Sequence, residues 1–144
     1  LYNLAWREEE REMNAFCHET GVGLTPWAPL AGGFLASDWR VTNNQHSERA
    51  RSGTSYSTKA YGTAQDYQVL DVLIAVAQRL GVPMAQVALA WLLTRPAVSA
   101  PILGTTRLAQ LEEALGATEL RLTASDLQLL DEAYTPNRQL GLLR

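Results

Sequence analysis

A short apolar run that stops at a glycine and passes straight into a helical pattern is the strongest constraint in this chain. Pro101-Ile-Leu103 reads as a buried strand ending at Gly104, and Leu108, Leu111 and Leu115 then recur at helical spacing. Gly104, Thr105, Thr106 and Arg107 form the joint. Glycine lets the backbone approach a ligand closely, and a helix start presents N–H groups without intrahelical partners to an anion. Two hydroxyls and a guanidinium add donors suited to phosphate. Gln110 and Glu113, three residues apart, share a helical face and reach toward the same ligand. The same joint also reads as a tight turn with Thr106 as the helix cap.

The rest of the chain repeats the strand-then-helix order. Leu1-Tyr-Asn-Leu4 reads as a strand, and Trp6, Met13, Phe16 and Cys17 as one face of a helix closed by Gly21. Val22 to Trp27 is a second strand. From Ala28 to Ala64 periodicity disappears, and a loop that long inside a compact domain is usually functional or disordered. Val69, Val72, Leu73, Val76 and Leu80 then form an amphipathic stripe ended by Gly81. Pro83 opens a helix, Met84 to Leu93, apolar nearly all round and therefore deeply packed; Pro96 stops it, and Val98 to Leu103 follows as a strand. Thr123-Ala-Ser-Asp126 forms a capping box for a last helix carrying Leu127, Leu130 and Tyr134.

Strands separated by helices imply a parallel sheet with crossover connections. About three strands are present, and an eight-stranded barrel takes ~250 residues. At 144 residues, the chain fits about half of a (β/α)8 barrel, read as one domain over 1–144. In such barrels a phosphate is often held by the loops after the seventh and eighth strands, where Gly104–Arg107 would lie. The chain also begins at Leu1, without methionine and inside a strand pattern, which suggests a piece of a longer protein.

A net charge of −3 gives no basic field for nucleic acid. Cys17 is the single cysteine, which excludes a disulfide framework and a cysteine-rich metal site. No apolar run reaches membrane-spanning length and no signal peptide is visible, so a cytoplasmic setting is expected, with oligomeric state left open.

A second loop leaves the strand that ends at Trp27. In Trp27-Ala-Pro-Leu-Ala-Gly-Gly33, glycines and Pro29 fix a turn whose amides could cradle a pyrophosphate, and Trp27 offers a flat apolar face. Alternatively, Trp27 plugs a barrel mouth and the glycines only make the turn. Together, Tyr2-Asn-Leu4, Gly21 to Gly33, Arg51-Ser-Gly-Thr54, Met84 to Leu93 and Ile102 to Arg107 resemble, in order, the aldo/keto reductase superfamily, in the branch of the potassium-channel beta subunits and bacterial reductases.

The resemblance implies the C-terminal half of the barrel, from the sixth strand on, in an NADP-dependent oxidoreductase that reduces small-molecule aldehydes or ketones. Trp27 would stack on the nicotinamide, and Ala28, Pro29, Leu30, Ala31 and Gly32 would line the pyrophosphate. Arg51 would lie across the adenine, while Gly104, Thr106, Arg107, Gln110 and Glu113 would hold the adenosine and its 2′-phosphate. Departures include Ala28 where serine is common and Ala114 where asparagine is frequent. The family's nicotinamide-gripping glutamine would fall just before Leu1, and its catalytic Asp, Tyr, Lys and His belong to the N-terminal half. No catalytic residue is therefore assigned: Tyr2, His18, His46 and Lys59 read as structural or solvated. The alternatives are a nucleotide-sensing protein resembling the channel subunits, with little turnover, and an inactive fragment.

Overall fold

The computed structural model describes residues 1–42 and 60–136. Among them lie six α-helices: α1 (Met13–Thr20), α2 (Trp39–Thr42), α3 (Ala64–Leu80), α4 (Met84–Leu93), α5 (Leu108–Leu115) and α6 (Ala124–Glu132). Short 3-10 turns at Glu8–Arg11, Ala31–Gly33 and Gly116–Thr118 join them.

The strand expected at Leu1–Leu4 is instead a tight turn. The backbones of Asn3 and Trp6 exchange hydrogen bonds of 3.1 Å in both directions, an isolated antiparallel bridge. The helix expected from Trp6 onward is broken at Glu12, whose φ of −143° lies outside helical space, so the acidic run forms a 3-10 turn and α1 begins only at Met13. Met13 and Phe16 are 50% and 59% exposed, and Cys17 alone is buried on α1. Gly21 caps the helix as expected, in the left-handed region at φ 73° and donating to the Cys17 and His18 carbonyls.

The two inner strands keep their parallel relation but not a ladder. Leu24 bridges Val98 and Trp27 bridges Ile102, both parallel. The bridged residues are three positions apart on one side and four on the other, so the register slips by one. Pro26 and Pro101 interrupt the donor pattern, because proline has no N–H to give. What remains is Leu24 N to Ala97 O at 2.7 Å, Ser99 N to Leu24 O at 2.9 Å and Ile102 N to Pro26 O at 2.8 Å. Nor is the second segment a buried strand, since Ile102 is 57% exposed. A side chain on Gly23 would collide with Ser99 Oγ, which explains a glycine at this close crossing.

Part of the expected long loop is ordered as the 31–33 turn and α2. Helix α3 begins at a capping box, with Asp66 N donating to Thr63 Oγ1 at 3.2 Å and Thr63 N to Asp66 Oδ2 at 2.9 Å, and it ends at Gly81 (φ 67°). It buries Val69, Leu70, Leu73, Val76 and Ala77. The box at Thr123 and Asp126 forms as the sequence predicts, but Tyr134 lies beyond the last turn of α6. Asp126 is buried and also takes the Arg79 guanidinium.

Helix α4 is enclosed on nearly every side, with Ala85 and Val87 through Leu92 buried. Trp91 is fully buried against Tyr2, ring centroids 5.8 Å apart, and the Arg7 and Arg95 guanidiniums lie over its ring at 5.1 and 4.4 Å. Its Nε1 donates to Asp131 Oδ1 at 2.9 Å, and Arg7 and Arg95 pair with the same carboxylate at 3.0 and 3.3 Å. Tyr134 closes this joint, accepting from Arg7 N at 3.3 Å and donating to Glu8 Oε1 at 3.1 Å.

Burial, reinforced by the Glu8 carboxylate, pushes the Tyr134 phenol up to about 12. Its unfolded value is near 10, so its contribution to stability is complete below pH 10 and is lost as the pH rises toward 12. The urea midpoint should therefore fall over that window, and Tyr134→Phe should flatten the fall. A mutant with the same slope as the wild type would show that Tyr134 does not report on this joint.

Candidate functional site

The bridged segments run parallel, so the loops that leave them, 27–35 and 103–107, emerge at the same end. Between these loops lies a cleft of about 750 Å³.

One wall is backbone. Ala28 and Ala31 both sit at φ 52°, and Gly32 and Gly33 follow at 66° and 102°. For alanine the left-handed region costs about 1–2 kcal/mol, so two such residues in four mark a turn held in place by its surroundings. Ala31 N donates to Ala28 O and Gly33 N to Leu30 O, both at 2.9 Å. The N–H groups of Ala28, Leu30 and Gly32 donate to no carbonyl among the described residues. A turn with left-handed residues that leaves alternate amides open in this way forms a concavity suited to anions. Trp27, 49% exposed, stands at the start of this wall.

The other wall is a helix start. Arg107 occupies the N-cap position of α5 and makes no side-chain cap, so Thr106 is not the cap either. Gln110 turns back over the joint instead, its Oε1 accepting from Thr106 N at 3.3 Å and Thr106 Oγ1 at 3.4 Å. The first N–H groups of α5, on Leu108 and Ala109, remain without acceptors among the described residues. Arg107 forms no ion pair among these residues, whereas Arg7, Arg40, Arg79 and Arg95 all do. The α5 leucines Leu108, Leu111 and Leu115 are all exposed, so the helix lies at the surface of the described structure.

The predicted residues Trp27 through Gly32 all line the cleft, as do Gly104, Arg107, Gln110 and Glu113 across from them. Thr106 stays beside the cleft, tied to Gln110. Arg51 lies outside the described residues. Tyr61, which carried no signal in the sequence, also lines the cleft; it is buried and stacked on Phe34, with centroids 5.6 Å and planes 12° apart. Ser37 and Thr105 add hydroxyl-bearing residues to the lining, and Ala114 contributes a methyl group.

Two residues set aside as catalytic candidates sit elsewhere. Tyr2 and His18 line a separate hollow of about 250 Å³ with Glu10, Asn14 and Arg95. Tyr2 OH donates to Glu10 Oε1 at 2.6 Å, and burial together with that carboxylate holds its phenol far above the usual tyrosine range. Its proton is fixed in a structural bond. His46 and Lys59 lie outside the described residues. No cluster of three or more His, Cys, Asp or Glu side chains that could hold a metal occurs among the described residues.

The profile of the aldo/keto reductase family matches residues 1–135. An aldo-keto reductase, dtxS3, of Metarhizium robertsii is 44% identical over 146 residues, covering 97% of this chain and 37% of the relative. Versiconal hemiacetal acetate reductase of Aspergillus parasiticus is 37% identical over 135 residues, covering 94% and 39%. Among solved structures, a thermostable aldo-keto reductase crystallised with the inhibitor epalrestat aligns with a TM-score of 0.64 at 26% identity, covering 92% of this chain and 37% of that one. The chain thus spans less than two-fifths of the length of these relatives.

The strained wall makes a direct prediction. Ala31 is fully buried at φ 52°. Ala31→Val, with a branched side chain in a left-handed conformation and no room to place it, should destabilise by about 2–4 kcal/mol. Ala31→Gly should lie within about 1 kcal/mol of wild type, because strain relief offsets lost chain restriction. Chemical denaturation of the two mutants tests this; equal midpoints would remove the case for a strained turn.

Proposed function

The chain belongs to the aldo/keto reductase family, whose (β/α)8 architecture its structural neighbour shares, and from that premise we propose that it is the cofactor-binding, C-terminal part of an NADP-dependent reductase of aldehydes or ketones. The observation that carries this reading is the meeting of two unlike walls, open backbone amides on one side and an uncapped helix start with a free-standing guanidinium on the other, across one cleft. Its volume lies within the ~300–1,000 Å³ typical of small-molecule sites.

The donor set fits a dinucleotide with a phosphate at each end of its grip. The Ala28–Gly32 turn offers amides to the pyrophosphate, as helix starts and nests do for anions. Trp27 offers an apolar face to the nicotinamide. Arg107, with the first amides of α5 and the Thr106 hydroxyl, suits a dianionic 2′-phosphate. Gln110 and Glu113, one turn along, suit the adenosine; a carboxylate accepts and does not donate, so Glu113 belongs on an amine or a ribose hydroxyl. Arg51 is assigned to the adenine on the resemblance alone. Gly104 admits the ligand close to the backbone.

When bound, the nicotinamide of NADPH supplies the hydride that reduces a carbonyl carbon. What this chain contributes is orientation: it holds the ring against Trp27 and anchors the phosphates. Tyr2 is committed to Glu10 and does not serve as the proton donor. A tyrosine from the family's N-terminal half would protonate the alkoxide oxygen, with the protein acting in the cytoplasm on small-molecule carbonyl compounds.

Arg107→Ala tests the choice of cofactor. Losing a hydrogen bond to a charged group costs about 1.5–3 kcal/mol, so NADPH affinity should fall by that amount while NADH, which lacks the phosphate, changes little. Equal losses for both, measured by fluorescence titration of the purified protein, would refute the placement of the 2′-phosphate.

A further inference from the structure

We propose that Asn3 is a positioning residue for this cleft: acting through the Ala28 carbonyl, its carboxamide holds the left-handed 28–33 turn in the form that receives the nicotinamide-side phosphate. The proposal rests on the dinucleotide reading above.

Asn3 is fully buried, yet every polar group it carries is used. Its backbone N–H and carbonyl are exchanged with Trp6. Side-chain Oδ1 accepts from Ala5 N at 3.0 Å, which fixes the carboxamide plane, and Nδ2 donates to Ala28 O and to Tyr61 OH, each at 3.0 Å. Ala28 O also receives Ala31 N at 2.9 Å. A carbonyl has two lone pairs, and here one is taken from inside the turn and the other from Asn3. Ala28 has no glycine-like freedom, so its φ of 52° persists only where the surroundings hold it. Asn3 supplies a contact from outside the turn that can do so.

The second donor reaches the other side of the cleft floor. Tyr61 lines the cleft and stacks on Phe34, the residue that follows the turn. One carboxamide therefore sets the spacing of three segments, 1–6, 28–34 and 61. Only asparagine meets the requirement at this length. Aspartate would keep the acceptor for Ala5 N–H but set a carboxylate oxygen against the Ala28 carbonyl, and serine would keep the same short-range bond yet fall short of Ala28.

The experiment titrates the purified protein, its Asn3→Ser variant and the Asn3→Ser/Ala28→Gly double variant with NADPH and with adenosine 2′,5′-bisphosphate. The bisphosphate keeps the 2′-phosphate assigned to the Arg107 wall and lacks the nicotinamide-side phosphate. Asn3→Ser should weaken NADPH roughly tenfold, the scale of one lost buried hydrogen bond, and leave the bisphosphate within about twofold. Glycine at 28 takes the left-handed form unaided, so the double variant should recover most of the lost NADPH affinity. Unchanged NADPH binding in Asn3→Ser overturns the proposal, as does an equal loss for both ligands, which would mark Asn3 as a general stability residue. Should Asn3→Ser not fold, Tyr61→Phe removes one partner of the same carboxamide and is judged by the same selective loss and the same glycine rescue. A wild type that binds neither ligand removes the dinucleotide reading, and this proposal with it; a wild type that binds both while Asn3→Ser is unaffected removes this proposal alone.

Discussion

Helix α4 has almost no polar face, and a helix apolar all round is stable in water only when other elements enclose it. Much of the described structure does so. Helix α3 and the Leu120–Leu122 stretch pack beside it, α5 and the 116–118 turn flank it, and Tyr2 reaches it from the first turn of the chain. The one buried donor on α4 that needs an acceptor is the Trp91 indole. Asp131 provides it, at the cost of burying much of a carboxylate, and Arg7 and Arg95 offset that cost by pairing with Asp131 while lying over the indole. Removing either the indole or the carboxylate would leave the arginines without their joint, so this group acts as a unit.

The cleft follows from that enclosure. With α4 fixed, the 97–103 segment that follows it must cross beside 23–27, and both run the same way. Parallel segments send their following loops to the same edge, which is why residues as distant in sequence as Trp27 and Gly104 share one cleft. The register slip between the bridges and the prolines at 26 and 101 keep the crossing short. A longer ladder would carry the two loops along fixed hydrogen bonds; here they depart early and meet across open space.

The sequence shows clearly what local chemistry decides. Gly21 and Gly81 close helices in left-handed conformations, and Thr123 with Asp126 makes its box, because caps depend on residues within one turn. The apolar stretch 84–93 is buried because nothing on it could face water. Where burial depends on what lies opposite, periodicity misleads: Leu108, Leu111 and Leu115 have helical spacing and yet are exposed, as are Phe16 and Ile102. The strand pattern at 1–4 failed for a related reason, since four apolar-leaning residues fit a strand or a turn equally well until a partner is named. The equivalent box at Thr63 and Asp66 is just as local, but it stands at the end of a stretch without periodicity. In the candidate site, the glycines and Arg107 stand out, but the left-handed alanines do not. Alanine persists in such a backbone only under constraint, and at Ala28 the hydrogen bond from Asn3, twenty-five residues earlier, offers one.

Geometry divides the cleft's work between two kinds of group. The 28–33 wall presents backbone, whose donors cannot be mutated away and whose placement is set by φ and ψ alone; its precision therefore depends on whatever holds those angles. The α5 wall presents side chains on a helix end, where a guanidinium and the open amides add in the same direction. Substitution can retune the second wall one residue at a time. The first changes only by altering its supports, and these lie outside it, in a turn near the start of the chain and a tyrosine ahead of α3. On the proposal above, Asn3 bears on ligand recognition without lining the cleft, because its hydrogen bonds reach the turn and Tyr61 from behind.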